Sequence, residues 1–490
     1  MTVQPSISSL RPALGVRPAQ RALSSAAADR LKSRLEAALG PSKVVSEPEQ
    51  LAAFAGDESE NAPVLPDVAV LAASADDVAA ILKIALEERA PVTPRAGGSG
   101  KSGGSIPIQG GIVLATSGMA TIEEIDREEL IAVVGPGLVL GDLHAAVEAE
   151  GLFYPPDANS LSWCALGGNI AENAGGPRAF KYGVTRDYVI GLDVALMGGE
   201  RLTLGRRTKK GVTGYDMVGM VVGSEGTLAV TTRAVVRLLP KPEHVITMMA
   251  LFDDVHGSGR AVQAMLAARV VPRCIELLDP ATLAAVRKQG VAVDEAAGSM
   301  LIVEVDGTED AASAEAERVG AACDESGARA VLVAQNEAQR DRLWAARRSL
   351  SPTTRAMAKY KVSEDVVVPR RHIGALLAEV DRIRESSTIS MLTYGHAGDG
   401  NLHVNYLWND PSQEPEVAAG LERLFRRVVE LGGTLTGEHG IGLSKLRYLP
   451  LEQSEGLIAL QRRLKLTFDP ENLLNPGKIF PTTPLAHGPC

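Results

Sequence analysis

A glycine-rich loop reads Arg95-Ala-Gly-Gly-Ser-Gly-Lys-Ser-Gly-Gly-Ser105, and five of its eleven residues are glycine. Apolar and β-branched residues at 91–94 and 111–115 predict a strand on either side of it. Glycine tolerates the positive φ angles at which successive backbone N–H groups converge on an anion. We therefore predict that the loop binds a phosphate group, with Arg95 and Lys101 adding positive charge.

The loop matches neither of the two common nucleotide-binding patterns. The spacing between its glycines and Lys101 does not fit G-x-x-x-x-G-K-[ST], which argues against a nucleoside triphosphatase. It also lacks the G-x-G-x-x-G fingerprint and the acidic residue that follows that fingerprint in NAD-binding folds. A flexible surface linker is the alternative, but the closely flanking strands favour a structured binding loop.

Two further glycine-rich segments lie downstream, Ala165-Leu-Gly-Gly-Asn-Ile-Ala-Glu-Asn-Ala-Gly-Gly176 and Gly223-Ser-Glu-Gly-Thr227. Small residues there would let a large planar ligand approach the backbone closely. Strands are predicted at 190–197 and 218–232, and the second is interrupted by the glycines. A pair of prolines then indicates a domain boundary near Lys241.

Histidines are concentrated in Tyr394-Gly-His-Ala-Gly-Asp-Gly-Asn-Leu-His403 and in the pair Glu438-His439, although the chain has only eight histidines. His396, His403 and Glu438 would offer two nitrogens and one oxygen, which suit a catalytic divalent metal with open positions. Zinc is the commonest such metal, and iron or manganese would also fit. His439 would then be a general base. The alternative is that these glycines mark turns and the histidines fill ordinary core or surface positions.

The second half of the chain alternates predicted strands and helices in a β-α-β-β-α-β rhythm. That rhythm is typical of an antiparallel sheet covered by helices, which we interpret as a cap domain. The histidine motif is expected on the end of a strand at 388–394 and in the loop that follows. The other predicted strands are 64–71, 246–252, 300–305, 330–333 and 365–369, and the predicted helices are 27–39, 75–88, 257–268, 311–326, 372–385, 421–431 and 457–468.

Composition excludes several classes of protein. A chain of 490 residues with 45% hydrophobic residues predicts two or three globular domains, and no apolar run is long enough to span a membrane. A net charge of −10 argues against nucleic acid as a partner. The four cysteines are too widely spaced to indicate an iron–sulfur cluster or a disulfide framework, which favours a reducing, cytoplasmic compartment.

The N-terminal stretch leaves two interpretations open. Residues 1–28 contain Arg11, Arg17 and Arg21 and no acidic residue before Asp29, which is the composition of a mitochondrial transit peptide. A plain N-terminal extension would have the same composition in an arginine-rich protein. A mitochondrial location follows from the first interpretation, a cytoplasmic one from the second, and peripheral membrane attachment stays open in both.

Taken in order, these motifs resemble those of FAD-dependent oxidoreductases of the vanillyl-alcohol oxidase type, over about residues 46–481. G-H-A-G-D-G-N-L-H, G-E-H-G-I-G and N-P-G-K-I-F resemble the D-2-hydroxy acid dehydrogenase branch, which includes D-lactate dehydrogenase, D-2-hydroxyglutarate dehydrogenase and the glycolate oxidase catalytic subunit. The resemblance implies an α+β fold with a two-subdomain FAD-binding domain and an antiparallel-sheet cap domain with helices on one face. Its implied segments are an N-terminal extension and helix at 1–45, the FAD-binding domain at 46–241, the substrate and cap domain with the metal site at 242–445, and a C-terminal segment at 446–490 that returns to the FAD domain.

The resemblance also implies roles for individual residues. His396, His403 and Glu438 would hold the metal, and His439 would be the catalytic base. Arg347, Ser351 and Lys361 would bind the substrate. FAD contacts would fall on Arg95, Ala96, Gly97, Gly98, Ser99, Gly100, Lys101, Ser102, Gly103, Gly104, Pro156, Asp157, Gly167, Gly168, Asn169, Asn173, Gly175, Gly176, Glu225, Gly226 and Asn475.

The implied activity is oxidation of a small D-2-hydroxy acid to the 2-oxo acid by hydride transfer to flavin N5. FAD would be noncovalent, because the glycine-rich loop contains no histidine for a covalent bond. A separate acceptor would take the electrons, such as an electron-transferring flavoprotein, a quinone or a cytochrome, and a homodimer stays open. The alternatives are a noncatalytic flavin-binding electron-transfer subunit, an oxygen-using flavoprotein oxidase of another alcohol, and a metal-dependent hydrolase without flavin, which would leave the glycine-rich segments unexplained.

Overall fold

The computed structural model describes residues 23–288, 290, 293–348 and 350–480, excepting the side chains of residues 346, 348, 351 and 352. Most of the arginine-containing stretch at 1–28 therefore lies outside the described residues. None of the described helices is long and apolar enough to cross a membrane.

The chain forms two compact units. Unit 1 comprises Met1–Ala174, Val184–Pro240 and Glu438–Cys490, and unit 2 comprises Gly175–Gly183 and Lys241–Gly437. Compared with the expected domains, residues 175–183 therefore group with unit 2, and residues 438–445 group with unit 1.

Unit 1 contains two main sheets. The first has the order β1-β2-β4-β3 with parallel pairing of β4 to β2 and to β3, and the second is antiparallel with the order β5-β6-β10-β8-β9. The strands are β1 (Val44–Val45), β2 (Val68–Leu71), β3 (Val92–Arg95), β4 (Ile112–Ala115), β5 (Ile122–Asp126), β6 (Ile131–Val134), β7 (Leu152–Phe153), β8 (Val189–Ala195), β9 (Arg201–Gly205), β10 (Val230–Arg237) and β11 (Leu239–Pro240). The α-helices are Ser25–Leu39, Pro48–Leu51, Ala75–Glu87, Leu140–Ala149, Leu166–Glu172, Met217–Val221, Leu449–Glu452 and Glu455–Phe468.

The predicted β-α-β beginning is confirmed. Ser74 starts the helix Ala75–Glu87 because its hydroxyl accepts the backbone N–H of Asp77 at 3.1 Å. Val78, Ile81 and Leu82 lie on the buried face of this helix, in the same core as the strands of the first sheet. The glycine-rich loop therefore begins at the end of β3, which is held by parallel pairing to β4.

The strand predicted at 218–232 is wrong over most of its length. Residues Met217–Val221 form a helix instead, because Asp216 caps the backbone N–H of Gly219 at 2.9 Å. Gly223 and Gly226 then have φ angles of +80° and +66°, which turn the chain before β10 begins at Val230. A short apolar run does not by itself distinguish a buried helix from a buried strand.

The C-terminal segment of unit 1 is fixed by a buried ion pair. Lys465 bonds to Asp469, and Asp469 also accepts the backbone N–H groups of Leu473 and Leu474 at 3.1 and 2.7 Å. Leu474 forms a parallel bridge to Val92 of β3. The residues that follow Leu474 contact the far end of the glycine-rich loop, at Gly104 and just beyond it at Ile106.

Unit 2 is built on one seven-stranded antiparallel sheet with the order β15-β12-β14-β13-β17-β18-β16. The strands are β12 (His244–Phe252), β13 (Cys274–Leu278), β14 (Ser299–Gly307), β15 (Ala328–Val333), β16 (Tyr360–Val367), β17 (Ser390–His396) and β18 (Asn401–Trp408). The α-helices are Ala179–Tyr182, Val255–Ala267, Pro280–Lys288, Glu309–Glu325, Glu337–Arg348, Leu350–Ala356, Ile373–Glu385 and Glu414–Glu430. The antiparallel cap sheet is confirmed, and β13 and β18 were not predicted.

Helices cover both faces of this sheet, whereas helices on one face alone were expected. Met248 lies near Gly320 of the helix Glu309–Glu325, whereas the next residue, Met249, joins a separate core with Leu283 of the helix Pro280–Lys288. Because successive residues of a strand point to opposite faces, the two helices lie on opposite sides of the sheet.

We predict that Asp469→Ala lowers the free energy of unfolding of unit 1 by about 3–5 kcal/mol, because it leaves the buried Lys465 ammonium without its counter-charge. Thermal and urea unfolding of the two proteins would measure the change. The control is Glu471→Ala, which removes an exposed ion pair with Arg89 at 2.6 Å and should cost less than about 1 kcal/mol. Equal stability of Asp469→Ala and the unmodified protein would contradict the prediction.

Candidate active site

Arg95 supports the glycine-rich loop from inside. The residue is 8% exposed, and its guanidinium donates to the backbone oxygen of Gly56 at 2.6 Å and to the Ser105 hydroxyl at 3.3 Å. A side chain at Gly98 would overlap this guanidinium. Burial lowers the pKa of Arg95, while the charge of Asp57 opposes that shift. Arg95 therefore shapes the loop from inside, whereas the sequence predicted that it would add positive charge at the phosphate site.

The backbone of the loop fits an anionic ligand. Within the described residues, the N–H groups of residues 97–100 have no hydrogen-bond acceptor in the chain. Such groups normally find a partner, and a glycine-rich turn of converging N–H groups is a known form of phosphate site.

The glycines of this region serve two different purposes. A Cβ atom at Gly97 would lie 2.7 Å from the backbone oxygen of Trp163, so the packing of the chain requires glycine there. A Cβ atom at Gly168 would meet nothing closer than the side chain of Ala96 at 3.7 Å, and one at Gly100 would likewise lie 3.7 Å from the nearest atom. Gly100 and Gly168 would therefore each accommodate a Cβ atom in ordinary contact, so packing within the chain does not require glycine at either position.

Asn475 and Lys478 hold the far end of the loop. Asn475 donates to the backbone oxygens of Gly104 and Glu225 at 3.0 and 2.8 Å, and Lys478 donates to that of Ile106 at 2.6 Å. Burial lowers the pKa of Lys478 to about 8, although nearby carboxylates oppose the shift. Lys478 was not among the predicted contacts, and the Asn-Pro-Gly-Lys motif was the available signal for it.

The other predicted FAD contacts are distributed over both units. Asn173 ends the helix Leu166–Glu172 in the left-handed conformation, and its side-chain oxygen accepts the backbone N–H of Arg186 at 2.8 Å. A Cβ atom at Gly167 would lie 2.8 Å from that of Pro136, so glycine allows close packing of this helix. In unit 1, Pro156 and Asn169 are buried and Asp157 is half-buried. In unit 2, Gly175 and Gly176 are buried.

Glu225 contacts the segment 438–445, which we call the histidine loop. Its carboxylate is buried and accepts the backbone N–H groups of Ile441 and Gly442 at 2.8 and 2.7 Å. Burial raises the pKa of Glu225, and these two N–H groups act in the opposite direction. The sequence predicted that Glu225 contacts the flavin. In the structure, its carboxylate accepts hydrogen bonds from the loop that carries His439.

His396 and His403 lie together because β17 and β18 form a hairpin. Tyr394 pairs with His403, and His396 pairs with Asn401, so these four residues share one face of the sheet. The imidazole centroids are 5.3 Å apart with an interplanar angle of 85°, and both rings are buried. The second histidine is therefore on a strand and not in the loop where it was expected.

A buried carboxylate that the sequence reading missed orients His396. Glu276 of β13 is fully buried and bonds to Nδ1 of His396 and to Nε of Arg347. Burial alone would raise the pKa of Glu276, but the charges of His396 and Arg347 outweigh burial and lower it to about 2. An ionised carboxylate on Nδ1 leaves Nε2 as the nitrogen that would bind a metal. The only signal in the sequence was an acidic residue inside the apolar run Cys274-Ile-Glu-Leu-Leu278.

Asp365 fixes the chain immediately before Glu438. Its buried carboxylate accepts the hydroxyl of Thr436 at 3.0 Å and the backbone N–H of Gly437 at 2.9 Å. The division between the units falls at the next peptide bond, so Glu438 is covalently attached to this anchored position.

The predicted metal ligands form a group that fits a divalent ion. His396, His403 and Glu438 can each offer one ligand atom, and these atoms lie within 4.8 Å of one another. Two imidazole nitrogens and one carboxylate oxygen are a donor set of the catalytic zinc type, with positions left for a substrate. His439, the expected base, is half-buried and follows Glu438 directly.

The predicted substrate-binding residues lie on neighbouring elements of unit 2. Arg347 is 5% exposed, and its guanidinium lies 5.0 Å from the centre of the Tyr394 ring. Lys361 of β16 donates to the hydroxyl of Thr354 at 2.7 Å. The Ser351 side chain lies outside the described residues. Arg347 and His396 are thus joined through Glu276.

Comparison with known proteins identifies the family. Residues 66–205 match the family described as FAD binding domain, and residues 241–479 match FAD linked oxidases, C-terminal domain. The chain is 39% identical over 419 residues to the glycolate oxidase subunit GlcD of Bacillus subtilis, covering 85% of this chain and 89% of that protein. The chain belongs to the FAD-linked oxidases. Both the expected resemblance and the FAD cofactor are confirmed.

Other relatives support the same assignment. This FAD-linked oxidase is 35% identical over 430 residues to a D-lactate dehydrogenase of Archaeoglobus fulgidus, covering 84% of this chain and 91% of that protein. The structure of p-cresol methylhydroxylase is similar with a TM-score of 0.79 and 17% identity, covering 93% and 97% of the two chains. That likeness confirms the vanillyl-alcohol oxidase type of fold.

We predict that Gly168→Ala lowers FAD affinity by about tenfold or more, because its methyl group enters space that borders the loop. Without FAD, the same change should raise stability by up to about 1 kcal/mol, because alanine favours a helix over glycine. Gly97→Ala should instead destabilise the protein without FAD. Titration of the apoprotein with FAD, together with thermal unfolding, measures both effects, and unchanged FAD affinity of Gly168→Ala would contradict the prediction.

Proposed function

We propose that this FAD-linked oxidase is a dehydrogenase that oxidises a D-2-hydroxy acid to the 2-oxo acid. The observation that carries the proposal is the group formed by His396, His403 and Glu438 on a chain of this family. Relatives named for glycolate and for D-lactate support a small 2-hydroxy acid as the substrate. We further propose that FAD is held noncovalently and that the protein is cytoplasmic.

When bound, FAD supplies the hydride acceptor, and a divalent metal supplies positive charge that favours loss of the hydroxyl proton. His396, His403 and Glu438 would hold the metal, with zinc the first choice and iron or manganese the others. Glu276 would keep the His396 ring in the orientation that presents Nε2. The backbone N–H groups of residues 97–100 would receive the pyrophosphate.

His439 would take the proton from the substrate hydroxyl. An imidazole has an unperturbed pKa of about 6.5, which allows it to act as a base near neutral pH. A well-placed general base contributes about 10²–10⁴-fold to a rate.

Arg347 would bind the substrate carboxylate. A guanidinium can donate two parallel hydrogen bonds to a carboxylate, and the bond from its Nε to Glu276 fixes the orientation of the group. Ser351 and Lys361 would supply further polar contacts. Holding the carboxylate in this way would fix the α-carbon of the substrate.

The electrons would leave to a separate acceptor, such as an electron-transferring flavoprotein, a quinone or a cytochrome. A noncatalytic electron-transfer subunit would not need two metal-type histidines, a carboxylate and a base in one group. An oxygen-using oxidase differs in releasing peroxide during turnover, which a peroxide assay detects.

We predict that D-2-hydroxy acids reduce the enzyme-bound FAD and that dialysis against EDTA lowers the rate at least about tenfold, with recovery on adding Zn²⁺ or Mn²⁺. The assay offers D-lactate, L-lactate, glycolate and D-2-hydroxyglutarate with a dye acceptor. Flavin reduction by none of these acids, or full activity after metal removal, would contradict the proposal.

We predict that Glu276→Gln weakens metal binding by about 10–100-fold, because an amide orients His396 less strongly than a carboxylate does. Competition with a chelator, followed by measurement of metal content, gives the affinity without any need for turnover. The matched control is Glu379→Gln, which changes a buried carboxylate of unit 2 that bonds to Arg382 and Arg423. Equal metal affinity of Glu276→Gln and the control would contradict this role.

A further inference from the structure

Glu225 uses both carboxylate oxygens to hold the histidine loop. Oε1 accepts the backbone N–H of Ile441 at 2.8 Å, and Oε2 accepts that of Gly442 at 2.7 Å. The residue is 7% exposed. A buried carboxylate with two charge-assisted bonds to adjacent peptide groups restrains their position and orientation.

The backbone of Glu225 is itself anchored in unit 1. Its N–H donates to the backbone oxygen of Ala171 at 2.8 Å, and its carbonyl oxygen accepts from Asn475 at 2.8 Å. Its φ angle of +52° is uncommon for a residue with a side chain. The carboxylate therefore extends from a turn that is tied to a helix on one side and to the C-terminal segment on the other.

Gly440, directly after His439, allows this arrangement. Its φ angle is +85°, and a Cβ atom there would lie 3.0 Å from Oε1 of Glu225 and would overlap Glu172. Glycine at this position therefore allows the histidine loop to lie in close contact with the carboxylates of Glu172 and Glu225.

We propose that Glu225 is a positioning residue for His439. It holds the peptide groups of Ile441 and Gly442, and only Gly440 separates His439 from the first of them. Because peptide bonds are planar, each residue has only two soft backbone torsions. Fixing the peptide groups of Ile441 and Gly442 therefore restricts the positions that the His439 imidazole can adopt. This role rests on the proposed function, in which His439 is the base.

A second tether connects the histidine loop to the glycine-rich loop. The backbone oxygen of Ser102 accepts the N–H groups of Leu443 and Ser444 at 2.7 and 3.1 Å. The loop that would bind the pyrophosphate thus also supports the loop of the base. Of these two tethers, the one from Glu225 is nearer to His439, and a side-chain substitution can remove it.

Hydrogen exchange tests the tether without cofactor or turnover. Glu225→Gln retains the shape of the side chain but loses its charge, and Glu225→Ala loses both acceptors. We expect the amides of Ile441 and Gly442 to exchange at least about tenfold faster in Glu225→Ala, with Glu225→Gln between it and the unmodified protein. The matched control is Asp67→Asn, because the Asp67 carboxylate accepts the backbone N–H of Gly111 at 2.6 Å in the same unit. Unchanged exchange at 441 and 442 would overturn the proposal, whatever reaction the enzyme catalyses.

Flavin reduction in a double-mutant cycle tests whether Glu225 acts through His439. We expect Glu225→Gln to retain one FAD per chain and the substrate affinity of the unmodified enzyme, while its limiting rate of flavin reduction falls about tenfold or more. In the His439→Ala background, the same substitution should lower the rate by less than about twofold, because the base is already absent. Additive losses, or loss of FAD binding in place of rate, would overturn the positioning role. Failure of the proposed function is distinct, because no 2-hydroxy acid would then reduce even the unmodified protein.

Discussion

The pairing of Tyr394 with His403 across the β17–β18 hairpin is the constraint on which the candidate metal site depends. Residues seven positions apart on one strand would point to opposite faces, because side chains alternate with a period of two. The hairpin reverses the chain between the two histidines, so His396 and His403 share a face. A slip of one residue in this register would turn His403 to the other face and remove the group.

Buried carboxylates then fix what the register of the hairpin leaves open. Glu276 orients His396, Asp365 holds the residues before Glu438, and Glu225 holds those after His439. Burying a carboxylate is costly unless it is bonded, and buried ion pairs often stabilise a fold no more than apolar groups would. Each of these three carboxylates bonds either to a side chain of the site or to the backbone next to it. Their contribution is therefore geometric.

Local patterns in the sequence predicted what depends on local structure. The glycine-rich loop, the β-α-β beginning and the two neighbouring histidines of the hairpin each follow from residues close together in the chain. Glu276 could not be found in this way, because its partners His396 and Arg347 are 120 and 71 residues away. Its position follows from the register of β13 with β17, which no single segment encodes. The error at 218–232 has a different origin, because the apolar run there is compatible with helix and strand, and the cap from Asp216 selects the helix.

Glu276 also makes the two halves of the proposed substrate site dependent on each other. One of its oxygens bonds to His396, a proposed metal ligand, and the other bonds to Arg347, the proposed carboxylate ligand. Movement of His396 or of Arg347 would change the position of the Glu276 carboxylate, and with it the electric field and the hydrogen bond at the other residue. Metal binding and carboxylate binding would therefore share a coupling free energy, and linkage requires that coupling to be equal in both directions. A substrate that offers a hydroxyl and a carboxylate on adjacent carbons would engage both halves, whereas a simple alcohol would engage only one. The selectivity for 2-hydroxy acids would thus follow from one buried side chain as much as from the groups that touch the substrate.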